Sequence, residues 1–327
     1  MLYRIFKNDW SVQLFIILPL WVYVSLLLYS NNYPAVPKYE ISHLFNFIAK
    51  SLSNLPILGK TLILLQIIFQ SIFISFILQK HELIEKNSYL PSFIFLIFIL
   101  AFPQHLCFSP IHFSNTFLLL MLSKVLKTFE EESASNTLFS CALFTALSIL
   151  FFVPNVIFII PLIISIFIFS NVNLKSVLGL IFGFSFPYLY LLTYYFLTDT
   201  LFNTIEIYQN SLSKGMHFVL PNHIYFQTFY FGAVFIFILI GIKLFSSSTE
   251  KLIRIRKKHQ FLITFAMFSF VGILLSNYGM SHQIGIILIG ISSITAIFLE
   301  ETKRPLFYEI ALWILVVFSF TLHFLQF

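Results

Sequence analysis

Apolar residues run through this chain in long blocks, and polar residues gather between the blocks rather than within them. The blocks cover about residues 12–29, 57–79, 90–107, 110–126, 137–153, 155–170, 176–197, 223–245, 260–276, 284–299 and 306–325. A run of roughly 17–25 apolar residues matches a helix that crosses the ~30 Å hydrocarbon core of a bilayer. The pattern therefore predicts an all-α, polytopic transmembrane bundle of about eleven spans, with residues 1–327 forming one integral-membrane domain. Residues 137–170 as one helix would be about 51 Å long, so Pro154-Asn155 predicts two short helices hinged there. Residues 90–126 are broken by Pro103-Gln104-His105 and Ser109-Pro110, which predicts two spans joined by a tight turn rather than a re-entrant pair. The first block, Val12 to Tyr29, follows Arg4 and Lys7 and runs on into Ser30-Asn31-Asn32-Tyr33-Pro34. It lacks a small-residue cleavage site and reads as a retained first helix.

Composition closes off the alternatives. The chain is 59% hydrophobic and 10% charged, with 44 phenylalanines. A soluble domain carries about 25% charged residues, so soluble, disordered, collagen-like and coiled-coil classes are excluded. Cys107 and Cys141 sit in apolar blocks and read as packing residues.

Charge sets the expected orientation. With the N-terminus inside and the spans alternating, the inner side receives 15 of the 19 Lys and Arg, and only Lys38, Lys50, Lys60 and Lys214 fall outside. That is the positive-inside pattern, N-in and C-out. The run Arg254-Ile255-Arg256-Lys257-Lys258 then reads as an orientation signal facing anionic lipid head groups, and no nucleic-acid partner is expected. Glu82 and Glu85 can pair with Lys80 and Lys86, and Ser133–Asn136 offers helix caps before Thr137.

The spans are nearly free of ionisable groups, which argues against a carboxylate-coupled transporter or a voltage sensor. Gln66 and Gln70 share one helical face and suit interhelical hydrogen bonds; Gly179 and Gly183 suit close helix packing. Candidate chemistry lies on the outer side. The topology places His43, His105, His112, His217, His223 and His282 at or near that surface, with Glu40, Asp199 and Glu206 as its only acids. Two outer segments exceed a turn: 30–56, where Ile41, Leu44, Phe45, Ile48 and Leu52 predict a short interfacial amphipathic helix, and 198–222, the richest polar stretch. No His-Glu-x-x-His spacing occurs, so no cofactor is expected, with a divalent metal left as an open alternative that no motif supports.

An amphipathic helix after the first span, an N-in multi-span body and acids in outer loops resemble the integral-membrane glycosyltransferases of the C superfamily. The resemblance implies a lipid-linked sugar donor and a carboxylate base in the first outer loop, where Glu40 is the only acid. That family has Asp or paired acids in this loop. Catalytic roles would fall to Glu40, Asp199 and Glu206, and substrate binding to His43, His217, His223 and Lys214. The stretch Lys80-His81-Glu82-Leu83-Ile84-Glu85-Lys86-Asn87-Ser88-Tyr89-Leu90-Pro91, with Ser133–Asn136 and Phe151-Phe152-Val153-Pro154, resembles a family of uncharacterised bacterial inner-membrane proteins. That likeness implies an inner-membrane, multi-pass location. Three functions stay open: such an enzyme, a non-enzymatic scaffold for an envelope complex with a protein partner, and a lipid or solute transporter. In each case membrane lipids are partners.

Overall fold

The computed structural model describes residues 10–30, 43–52, 55–130, 134–169, 173–202, 204–206, 224–247, 252–275, 280–302 and 305–325, with Phe6 and Gln209. All elements among them are helical: α1 (Trp10–Ser30), α2 (His43–Leu52), α3 (Pro56–Lys80), α4 (Leu90–Ala101), α5 (Pro110–Lys127), α6 (Ser135–Phe151), α7 (Ile159–Ile168), α8 (Leu174–Leu197), α9 (Ile224–Ser247), α10 (Ile253–Leu275), α11 (Met280–Glu301) and α12 (Pro305–Leu325). Each apolar block coincides with one of these helices, and α2 occupies the stretch predicted to be amphipathic. Four helices are long and apolar enough to cross a membrane: Gln13–Ser30 within α1, α3, α8, and Ile284–Glu301 within α11. Shorter apolar helices, such as Leu90–Ala101 and Ser135–Phe151, stand among them.

The centre of the bundle is α4. All twelve of its residues are buried, which fits a segment without one charged side chain. It packs against α1, α3, α11 and α12. Polar pins fix two of these contacts. Ser92 Oγ donates to Ser71 O at 2.5 Å and lies 2.7 Å from Ser75 Oγ of α3, and Ser319 Oγ of α12 donates to Ile97 O at 2.7 Å. Interhelical hydrogen bonds of this kind replace a hydrophobic driving force that lipid tails cannot supply.

Two of the helical blocks are broken in the same way. After α4, Phe102 leaves the helical region (φ −132°, ψ 76°) and Pro103–Leu106 forms a 3-10 turn before Pro110 starts α5. After α6, Phe152 is extended and Val153–Phe158 forms a 3-10 turn that runs into α7, with Pro161 in its first turn. Pro103 and Pro110 in the first break, and Pro154 and Pro161 in the second, keep the same seven-residue interval, and an amide residue (Gln104, Asn155) follows the first proline in each. Proline removes a backbone donor and clashes with the preceding turn, so each break is set by covalent structure. Both lie at one end of the bundle, called here the break end.

Charge collects at the opposite, ionic end. Arg254 pairs with Glu82, Glu300 accepts from Ser88 Oγ and from the Glu85 amide (2.7 Å), and His259 Nε2 lies 3.6 Å from Glu301. The local pairing of Glu82 with Lys80 or Lys86 expected from sequence gives way to Arg254, because the chain between α3 and α4 folds back onto α10. α10 also starts earlier than its apolar block, at Ile253, so the basic run lies inside the helix. Lys258 is consequently buried, its Nζ 3.4 Å from His81 O. Similarly α6 begins at Ser135 with Ala134 at the cap position and no side-chain cap bond.

The outermost of the long spans is α8, only 17% buried against 83% for the α11 window. It rests on α6 through its glycine pair. A Cβ on Gly179 would meet Ser135 O at 2.7 Å, and one on Gly183 would overlap Phe139 O outright. Gly183→Leu should therefore wedge α8 from α6 and lower stability by about 1–3 kcal/mol, the usual cost of overpacking. A thermal-unfolding midpoint in detergent unchanged from the parent would contradict this contact.

Candidate functional site

The break end holds a layer of buried polar side chains drawn from both interruptions. Asn155 Nδ2 donates to Ser114 Oγ at 2.5 Å and to Ser148 Oγ at 3.0 Å, and the two serine hydroxyls are 2.7 Å apart. Ser114 Oγ also donates to Ser148 O at 2.8 Å. Gln70 Nε2 of α3 donates to His112 O at 2.6 Å and Thr116 Oγ1 at 3.0 Å, as its interhelical reading expects. His112 Nε2 lies 2.9 Å from His105 O, so this nitrogen carries the hydrogen, and the two imidazole rings are 4.5 Å apart. Asn115 Nδ2 donates to Gly285 O at 2.8 Å. Gly285 must lack a side chain, since a Cβ there would fall 2.7 Å from the His105 ring.

His105 and His112, expected at the outer surface, are thus buried inside the bundle. The physical reason is the break itself. The His105 carbonyl lies in the break without a helical donor, burying such a group unpaired costs several kcal/mol, and the His112 ring supplies the donor.

Asp199 occupies an unusual backbone position. α8 ends with Thr200 N donating to Tyr195 O (3.0 Å) and Asp199 N to Phe196 O (3.3 Å), the paired bonds of a Schellman motif. That motif needs a left-handed residue, and Asp199 takes it at φ +53° where glycine would be unstrained. The end of α3 is built the same way, with Leu83 N on Leu78 O, Glu82 N on Gln79 O, and Glu82 at φ +58°. There the left-handed acid is matched by Arg254. At Asp199 no partner for the carboxylate occurs among the described residues, and the Thr198 and Thr200 hydroxyls beside it are 2.9 Å apart and exposed.

Between α6 and the second half of α8 lies an apolar crevice of about 300 Å³. One wall is Ile149 and Leu150 of α6 with Val153 and Val156 of the 3-10 turn; the other is Tyr188, Leu191, Leu192 and Tyr195 of α8. The α8 residues form an i, i+3, i+4, i+7 stripe on one face. Leu201, Thr204 and Ile205 close the end, with Thr204 Oγ1 donating to Thr200 O at 2.8 Å. Asp199 and Glu206 bracket this closing segment in sequence, and both are exposed.

α2 belongs to the same end. It packs on α6 and α3, and Phe45 lies against Phe108 and Phe113, whose ring stacks on Phe151. His43 is the first residue of α2, and only its backbone place is described. Glu40, Lys214, His217 and His223 lie outside the described residues. Of the predicted site residues, Asp199 and Glu206 flank in sequence the segment that closes the crevice without lining it, and His43 is carried on α2, which packs on α6. Among the described residues no cluster of three His, Cys, Asp or Glu could hold a metal ion.

Comparison with protein families, with curated proteins and with solved structures finds no match to this chain.

Sequence reasoning missed Asn155, Ser114 and Ser148 as a unit, and it missed the crevice. One signal was present, the repeated Pro–amide break at a seven-residue proline interval. Replacing Asn155 by Leu should remove the amide donor shared by the two serine hydroxyls and cost about 1–3 kcal/mol. Equal detergent stability of Asn155→Leu and the parent would show that the layer contributes nothing to the fold.

Proposed function

We propose that this chain is a multi-pass membrane enzyme of the glycosyltransferase-C type, using a lipid-linked sugar donor at one membrane face. The observation that carries the reading is Asp199: a strained, exposed carboxylate without a described partner, two residues before Leu201, the first residue of the segment that closes an apolar crevice. Strain of this kind costs about 1–3 kcal/mol and concentrates where function needs a fixed side chain. An eleven-span, N-in arrangement agrees with the contacts between helix ends. Ends that alternation assigns to one side meet at the ionic end, as with Glu82 and Arg254, and those it assigns to the other meet at the break end, as with Asn115 and Gly285. The break end would then be the outer face of a bacterial inner membrane.

In this reading Glu40 is the base that takes the proton of an acceptor hydroxyl. The acceptor oxygen attacks the sugar's anomeric carbon, and the lipid phosphate leaves with the bonding electron pair. Asp199 and Glu206 hold sugar hydroxyls, while His43, His217, His223 and Lys214 meet the phosphate. No cofactor is required.

A second reading, a scaffold with an envelope protein partner, is favoured by the polar layer, whose donors are spent on internal bonds. The two separate by experiment. Glu40→Gln should lower consumption of lipid-linked sugar in isolated membranes by about 100-fold or more, the scale of acid–base contributions, and Asp199→Asn and Glu206→Gln should each lower it by a smaller factor. Unchanged lipid-linked sugar profiles in all three would sink the enzyme reading, and a stoichiometric protein partner co-eluting in mild detergent would then support the scaffold. Asp199→Gly should behave oppositely on the two axes, raising thermal stability by about 1 kcal/mol while losing turnover.

A further inference from the structure

We propose that the contact between His81 and Lys258 at the ionic end is a proton-operated latch. It keeps the connection between α3 and α4 closed while the pair carries one positive charge, and releases that connection when a second proton arrives. The latch does not depend on the activity proposed above.

His81 follows the last residue of α3, and Lys258 lies in the first half of α10. Both are buried, at 1% and 0% exposure. Each ring nitrogen of His81 faces a group that decides its role. Nε2 lies 3.3 Å from Ser123 O of α5, and a carbonyl only accepts, so Nε2 carries a hydrogen. Nδ1 lies 3.5 Å from Lys258 Nζ, and an ammonium only donates, so Nδ1 offers its lone pair. Lys258 Nζ also meets His81 O at 3.4 Å. One proton therefore serves the two facing nitrogens. A second would set N–H groups head to head in a buried space, where like charges repel far more than in water.

The charged groups on the surrounding elements have contacts or exposure of their own. Glu82 pairs with Arg254 of α10, and Glu300 of α11 accepts from Ser88 Oγ and the Glu85 amide. Lys257 lies over the Phe129 ring and Lys80 over the Phe76 ring, while Glu85, Lys86, Lys124 and Lys127 are exposed. His259, 3.6 Å from Glu301, has the opposite sign, since protonation strengthens its contact and cannot produce a release in acid.

The connection itself is poised to open. It turns through Glu82 and Asn87 at φ +58° and +68°, left-handed conformations that disfavour side chains. Proton counting gives the direction. Closed, the connection holds His81 neutral; open, it lets the ring titrate near an ordinary histidine value of about 6.5. Below that pH the open form binds one proton more, so closure weakens by up to about tenfold per pH unit as pH falls. Above it, closure is complete and does not vary with this group.

Hydrogen exchange of the full chain in lipid nanodiscs reads the latch, with rates corrected for intrinsic exchange at each pH. Protection of the Leu83 and Glu85 amides, bonded to Leu78 O and Glu300, should fall at least about tenfold between pH 7.5 and pH 5.5. Protection of the Asn155 amide, bonded to Phe152 O at the break end, should hold constant. His81→Gln keeps a donor for Ser123 O and an acceptor for Lys258 but cannot titrate, so its profile should be flat. Lys258→Met removes the opposing charge and should reduce the fall to less than about threefold. A flat parent profile overturns the proposal without recourse to any variant. So does a parent-like slope in His81→Gln or in Lys258→Met, and so does an equal fall at Asn155, which would report loosening of the whole bundle.

Discussion

A main-chain carbonyl released by a helix break has no water to turn to inside an apolar bundle, and this requirement organises the structure around it. Pro103 and Pro154 create such breaks, and each unsatisfied group in an apolar medium costs several kcal/mol. Inside the first break the His105 carbonyl is met by the His112 ring, and beside the breaks Asn155, Ser114 and Ser148 bond to one another while Gln70 donates to the His112 carbonyl. Because these side chains come from α3, α5, α6 and the two 3-10 turns, the same bonds tie those elements together as neighbours. The buried α4 is apolar apart from Ser92, and its polar attachments come from Ser92 and its backbone.

The two ends of the bundle solve different problems. At the ionic end the charges are matched across helices, Arg254 with Glu82 and His259 with Glu301, and even the left-handed Glu82 is held by its ion pair. At the break end charge is sparse and the groups are neutral amides, hydroxyls and imidazoles. Asp199 departs from both patterns, being strained as Glu82 is but without its counter-ion among the described residues.

The existence and placement of the helices were legible in the sequence, because runs of apolar residues report on solvent over twenty positions at once. The amphipathic α2 and the Gly179/Gly183 contact were legible for related reasons: a periodic face and a small-residue spacing each have one cheap structural outcome. Lateral contact was not legible. Span order gives the depth of a residue but not its neighbour, so His105 and His112 were placed at the surface by depth, and packing against Gly285 and α3 buried them. Lys258 went the same way, since a basic run scores as solvated until the face of α10 is known. The crevice had no signature at all, being formed by two helices that part company.

That parting has a mechanical consequence. α8 is clamped to α6 at Gly179 and Gly183, and just beyond, Pro187 deletes the hydrogen bond to the Gly183 carbonyl. The rest of α8 is then a cantilever, fixed at its root and compliant at a joint four residues on. A small angular change at that joint would be multiplied along the arm, so the gap facing Ile149 and Leu150 would change in width more than the clamp itself moves. Bilayer thickness or lateral pressure, acting on the arm's exposed face, would thereby reach Asp199 at its tip.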